Sequence, residues 1–311
     1  MNNHEHAEHG RTHPGHGHRH AHGHDAPMDW EVLGPYLESG AEVHTPVYEQ
    51  VAGWLRELFP GAGAAGPGTV RRVLDIGSGP GVATCVLARA FPAAEVVAVD
   101  PTAALLERAR ARADRLGLGG RVHTHVAEVP DGLDALGGAD LIWSSNALHH
   151  VGDQRGAVAA LAGHLRPGGL LAIAEGGLAP RFLPRDIGIG RPGLQSRLDA
   201  LGEEWFTQMR SALPGAEDAI EDWPAFLADA GLRTPVTRSF LLDLPAPLSG
   251  AARDYALSRL TRAMEAYGDQ LDEEDLTTLA RLGDPHDAAG LARRPDAFLL
   301  AAQTVHTARA Q

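Results

Sequence analysis

Apolar side chains between residues 28 and 60 recur every three to four positions. Trp30, Leu33 and Leu37 share one face, and Val47, Val51, Trp54, Leu55 and Leu58 share another. That spacing predicts two helices, with Ser39-Gly40 and Thr45-Pro46 supplying the break and the restart between them. From residue 70 the pattern changes to short apolar, β-branched runs, each followed by a helical stretch. Strands are predicted at 70–76, 95–99, 122–126, 139–145 and 170–175, with helices at 82–90, 102–116 and 154–165. Strands of this continuous apolar kind, alternating with helices, belong to a parallel sheet covered on both faces. Beyond residue 179 the alternation loosens. Helices are predicted at 194–213, 223–230, 251–267 and 276–282, and strands at 236–242 and 297–307. The fold class is α/β, a doubly wound Rossmann-like arrangement.

The first strand runs straight into Asp75-Ile76-Gly77-Ser78-Gly79-Pro80-Gly81, and Val82 opens a helix. A strand, a glycine loop and a helix N-terminus let a ligand approach bare backbone. A dinucleotide fingerprint has the spacing G-x-G-x-x-G, with N–H groups turned to a pyrophosphate. Here the spacing is G-x-G-x-G, and Asp75 stands two residues before the first glycine. A carboxylate there opposes a pyrophosphate and suits a cationic ligand such as S-adenosylmethionine, which carries a sulfonium and an ammonium and no phosphate. Asp100 closes the second strand nineteen residues after Gly81, where an acid can accept ribose hydroxyls. That acid suits S-adenosylmethionine and a nicotinamide dinucleotide equally; Asp75 separates them.

With these residues the chain resembles the class I S-adenosylmethionine-dependent methyltransferases, whose first motif is D-x-G-x-G-x-G. Two further stretches carry the likeness: Ala139-Asp140-Leu141-Ile142-Trp143-Ser144-Ser145 with Asn146-Ala147-Leu148-His149-His150, and the turn Arg166-Pro167-Gly168-Gly169. The resemblance covers residues 70–176. It implies a seven-stranded sheet whose last strand runs antiparallel, with S-adenosyl-L-methionine as cofactor and in-line methyl transfer to a small-molecule acceptor. It places Asp75, Gly77, Ser78, Gly79, Gly81, Asp100, Pro101 and Asn146 at the cofactor, with Glu128 and Val129 at the adenine. His149 and His150, after the fourth strand, are candidates for a general base because imidazole titrates in the useful range; a purely structural role at the strand end stays open beside it. The resemblance divides the chain into leading cap helices at 28–66 and a cofactor-binding domain at 67–311. Helical insertions are expected near 182–222 and 249–293, as a lid over a small-molecule pocket.

Composition narrows the partners. The formal charge of −13 argues against nucleic acid. All 27 basic residues are arginine, which removes a phosphate-loop lysine and a lysine Schiff base. Cys85 is the only cysteine, so intrachain disulfides and cysteine-rich zinc sites are excluded. No apolar run is long enough to span a membrane and no signal peptide is visible, so the expected location is cytoplasmic, away from membranes. Residues 1–27 form a polar tail expected to be disordered, with His4, His6, His9, His13, His16, His18, His20, His22 and His24 as candidate ligands for adventitious Zn or Ni. Arg108, Arg110, Arg112 and Arg115 suggest a solvated helix face. Arg181, Arg185, Arg191 and Arg197 are placed to meet an acidic acceptor or to pair with acids such as Asp186 and Asp199. An NAD-linked oxidoreductase and a non-enzymatic cofactor- or metal-binding protein remain the alternatives, and oligomeric state is not readable.

Overall fold

A computed structural model describes residues 30–59 and 69–311, with side chains from Leu33 onward. The His-rich segment and the glycine-rich stretch at 61–68 lie outside the described residues. Helices α1 (Trp30–Val43) and α2 (Thr45–Glu57) come first. They are followed by β1 (Arg72–Ile76), α3 (Val82–Ala90), β2 (Glu95–Asp100), α4 (Ala103–Arg115), β3 (Val122–Val126), β4 (Ala139–Ser145), α5 (Gln154–Gly163) and β5 (Leu165–Arg181). The second half holds α6 (Leu194–Ser211), α7 (Trp223–Asp229), β6 (Arg233–Leu244), α8 (Gly250–Tyr267), α9 (Glu273–Gly283) and β7 (Leu299–Arg309).

The seven strands form one sheet in the order β3-β2-β1-β4-β5-β7-β6. The first five pair in parallel, and β7 runs antiparallel to both neighbours. Strand alternation divides the core. Val73, Leu141 and Trp143 turn to the face covered by α2 and α3, whereas Leu74, Ile76 and Ile142 turn to the face covered by α5 and α7. By the same alternation Asp75 points to the α2–α3 side. The strand order reverses between β1 and β4, and in open α/β sheets that reversal opens a crevice at the carboxyl ends of the strands.

Two expectations change. β5 extends well past 170–175 in both directions, because the Arg166-Pro167-Gly168-Gly169 turn is absorbed as a bulge between the pairs Ala139↔Leu165 and Leu141↔Leu170. Its far end continues to Arg181 by pairing with β7. The arginines of α4 are not simply a solvated face. Arg108 Nη1 donates to Glu38 Oε2 (3.1 Å) and Arg112 Nη2 to Glu38 Oε1 (2.7 Å), with Glu42 a further partner of Arg112. These pairs tie α1 to α4, a tertiary link that helical periodicity does not reveal.

Candidate active site

The loop after β1 is pinned on two sides. Ser78 N–H donates to Val99 O (3.0 Å), and Gly79 N–H donates to Asp100 Oδ2 (3.0 Å). Gly77 and Gly79 both have φ above zero, at 66° and 52°. A Cβ on Gly77 would collide with the Cβ of Ala147, so the bare glycine is what lets the turn after β4 approach. A Cβ on Gly79 would meet nothing within 4 Å, so this glycine leaves room above the loop.

Asp75 is 1% exposed, and its Oδ2 accepts a hydrogen bond from Thr84 Oγ1 at 2.5 Å. Burial pushes its carboxyl up to about 7, against the pull of the Thr84 hydroxyl. Among the described residues no cation stands at ion-pair distance from it. Asp100 is also buried and raised above the usual carboxylate range by that burial, while its Oδ1 accepts Thr102 N–H at 2.8 Å. Asp100 therefore fastens the glycine loop as well as standing where a ribose acceptor is expected. Two backbone donors leave part of its accepting capacity unused.

At the end of β4, Asn146 takes a left-handed conformation (φ 49°) and its N–H donates to Ala174 O at 3.0 Å. Asparagine tolerates this region better than most residues. The turn that follows is built on Glu175, the last acid of the apolar run in β5. Glu175 Oε1 accepts the N–H groups of Ala147 (2.9 Å) and Leu148 (2.8 Å). Its Oε2 lies 2.8 Å from His149 Nδ1. A carboxylate only accepts, so Nδ1 carries the hydrogen and Nε2 keeps its lone pair. Arg210 of α6 holds the same turn through His149 O (2.9 Å) and Val151 O (2.6 Å), and Phe206 packs at 5.5 Å from the His149 ring. His150 lies outside this network. It is exposed, yet the protein mass around its ring and His149 beside it push its imidazole down to about 4. The two histidines are thus not equivalent candidates.

The structure brings Asp75, Gly77, Ser78, Gly79, Gly81, Asp100, Asn146 and His149 to the carboxyl ends of three adjacent strands. Pro101 is exposed beside Asp100. Glu128 is exposed and Val129 half-buried in the loop after β3, one strand further out. The arginines of the first insertion largely find acids. Arg181 Nη1 is 3.5 Å from Asp199, Arg197 Nη2 is 2.6 Å from Asp275, and Arg191 pairs with Asp272 and Asp275. Sequence reasoning missed Glu175, Thr84, Tyr48 and Arg210. The signal for Glu175 was present, as one acid closing a wholly apolar strand. The others are brought in by tertiary packing: Tyr48 of α2 comes near Asp75 and Ser145.

These residues fit a polar, cationic cofactor. Ser78 Oγ is buried without a hydrogen-bond partner, Asp75 is a buried acid lacking a cation, and Gly79 leaves space where a side chain would stand. The nine tail histidines lie outside the described residues. Among the described residues no cluster of His, Cys, Asp or Glu is arranged to hold a metal, and no helix is long and apolar enough to cross a membrane.

Residues 73–169 match the family described as "Methyltransferase domain". An uncharacterized protein of Synechococcus sp. is 40% identical over 33% of this chain and 24% of its own length. A trans-aconitate 2-methyltransferase of Methylobacterium radiotolerans is 36% identical over 33% of this chain and 37% of its own. An uncharacterized methyltransferase of Mycobacterium tuberculosis is 39% identical over 32% and 48%. The matched stretch thus spans less than half the length of each of these relatives. An O-methyltransferase family 2 protein from Planctomyces limnophilus, solved as a complex with apigenin, superposes with a TM-score of 0.47 at 23% identity, over 70% of this chain and 58% of that one.

Proposed function

We propose that this chain, whose residues 73–169 match a methyltransferase domain, is a class I S-adenosylmethionine-dependent methyltransferase that methylates a small-molecule acceptor with His149 as general base. Bound in the crevice, S-adenosylmethionine would supply an electrophilic methyl group on its sulfonium. Asp75 supplies the negative charge that suits the cofactor's cationic end, and the N–H groups and space around Gly79 receive it. Asp100 accepts from its ribose. Glu128 and Val129 stand at its adenine, with Pro101 and Asn146 bordering the crevice. The protein's own work is alignment and exclusion of water.

The observation that carries the catalytic assignment is the 2.8 Å contact between Glu175 Oε2 and His149 Nδ1. It leaves Nε2 free to take a proton from an acceptor hydroxyl as the new bond forms. The formal charge of −13 supports a small acceptor over a nucleic acid. The test is incubation with S-adenosylmethionine and a panel of phenols and hydroxy acids, read by mass spectrometry for a gain of one methyl. Trans-aconitate belongs in the panel because a relative is named for it. A methylated product formed by the wild type and greatly slowed in His149→Gln supports the reading; a product formed equally by both removes His149 from it.

The histidines between His4 and His24 are a separate proposal, a loose sink for Zn or Ni. Deleting residues 1–25 should abolish most metal uptake and leave cofactor affinity unchanged, as measured by calorimetry on both forms. Loss of cofactor binding on deletion would make the tail part of the site.

A further inference from the structure

We propose that Ser145, the last residue of β4, is set as a hydrogen-bond donor toward the acceptor by the amide of Gln303 on β7. Paired with His149, this donor selects a hydroxyl over an amine as the group to be methylated. Ser145 touches the acceptor, and Gln303 is a positioning residue that acts through it. The proposal rests on the methyltransferase reading and adds to it the class of the methylated atom.

Gln303 Nε2 donates to Ser145 Oγ at 2.8 Å, although the two residues lie 158 positions apart. Strand β5 runs between theirs. Ser145 pairs with Ala174 of β5, and Gln303 pairs with Gly177 across the irregularity that follows. Gly177 has a φ of 126°, and a Cβ on it would stand 2.1 Å from Ala302 O, so bare backbone lets β7 close up here. The short side chain of Ala174 leaves the amide a way across to Ser145. By alternation Gln303 shares a face with Ala301 and Val305, and Ser145 shares one with Trp143; these neighbours all belong to the core on the α2–α3 side. Asp75, paired with Trp143, turns to the same side. Gln303 is 9% exposed, so packing rather than water fixes its amide.

An amide N–H only donates, so the Ser145 oxygen accepts from Gln303 and its one hydrogen turns elsewhere. Asn146 Nδ2, 3.5 Å from the same oxygen, is a second donor to it. The hydrogen is left to face the crevice, on whose α2 side Tyr48 comes near. His149 belongs to the other side of the same strand ends, with its Nδ1 held by Glu175, the residue after Ala174. A donor at Ser145 and an accepting Nε2 at His149 thus stand on either side of the carboxyl edge. A hydroxyl suits both. It gives its hydrogen to Nε2, takes the Ser145 hydrogen on one lone pair and keeps the other for the methyl carbon. The oxygen–carbon bond forms as the carbon–sulfur bond breaks with its pair left on sulfur, and the proton ends on Nε2. A neutral amine has a single lone pair. Once that pair accepts from Ser145, none is left to attack.

The test uses full-length protein and begins with calorimetric titration of S-adenosylhomocysteine. Neutron crystallography of that complex then locates the Ser145 deuteron. It should point away from Gln303 in the wild type and onto the carboxylate in Gln303→Glu; a wild-type deuteron on the Gln303 side chain overturns the proposal. Kinetics compare catechol with 1,2-phenylenediamine, and 4-hydroxybenzoate with 4-aminobenzoate, as ratios of kcat/KM for methylation. The wild type should favour the hydroxyl member. Ser145→Ala and Gln303→Glu should each lower that preference about 3- to 10-fold, through kcat at nearly unchanged KM, with S-adenosylhomocysteine affinity within about twofold. General damage to the fold would slow both members alike and leave the ratio. Adding Gln303→Glu to Ser145→Ala should change the ratio by less than about twofold, because the amide acts through the hydroxyl. Ser145→Ala removes one oxygen and keeps the question measurable should Gln303→Glu fail to fold. No hydroxyl preference in the wild type, a preference equal in wild type and variants, or additive losses in the double variant overturns the proposal. Failure of the wild type to bind S-adenosylhomocysteine, read in the first titration alone, removes the underlying methyltransferase reading and the donor assignment with it.

Discussion

Glu175 Oε2 stands 2.8 Å from His149 Nδ1, and the same carboxylate caps the turn through the N–H groups of Ala147 and Leu148. One buried acid thus sets both the position of the ring and the nitrogen left free. In Glu175→Gln the amide oxygen can still accept the two backbone donors, but its NH₂ then faces Nδ1 and forces the hydrogen onto Nε2. Both Glu175→Gln and His149→Gln should lower the methylation rate by about 10²–10⁴, the usual span for a lost general base. Cofactor affinity should stay within about twofold, since neither change removes a group assigned to the cofactor. Rates and calorimetry on the two variants check this; a weakened cofactor with an intact rate would contradict it.

His150 offers the matching control. Its imidazole is pushed down to about 4 by the protein mass around the ring and by its neighbour His149, so it is neutral throughout the physiological range. His150→Gln should change the rate by less than about threefold and leave the pH–rate profile between about 5 and 9 unaltered, because the group lost does not titrate there. A shifted profile would transfer the base role to His150.

Asp75 makes the resting fold sensitive to pH. Its carboxyl moves from 3.8 in the unfolded chain to about 7 in the fold, mainly through burial. The folded state then holds a proton that the unfolded state releases, so stability from this group is complete below 3.8 and is lost as pH rises through about 7. Asp75→Asn, which keeps the size and the accepting oxygen for Thr84, should melt higher than wild type at pH 8 by about 5 °C or more. The gap should narrow toward pH 4. Thermal melts of the ligand-free proteins across that range check the sign; a variant less stable than wild type at pH 8 would refute it.

The sheet was legible because its strands announce themselves as apolar runs closed by Gly77, Asp100 and Asn146. Those closings lie at the carboxyl edge where the site forms. The partners that complete the site were not legible, because they arrive from elements with no local signal. Tyr48 sits on α2 among ordinary core positions, and Arg210 lies one helical turn from Phe206. The arginine run of α4 illustrates the converse. Its periodicity fits a solvated face, yet Glu38 and Glu42 lie some seventy positions earlier, so only the fold reveals the pairing. The tail histidines show a third limit, since composition alone names their chemistry and they lie outside the described residues.

The central claim is that the crevice at Asp75, Gly79 and Asp100 takes a cationic adenosyl cofactor, and calorimetric titration with S-adenosylmethionine and with NAD tests it most directly. One molecule of S-adenosylmethionine should bind per chain while NAD gives no saturable heat. Asp100→Ala should weaken the interaction by on the order of 1.5–3 kcal/mol, the worth of a charge-assisted hydrogen bond. Saturable binding of NAD with none of S-adenosylmethionine, or an affinity for S-adenosylmethionine indifferent to Asp100, would contradict the account.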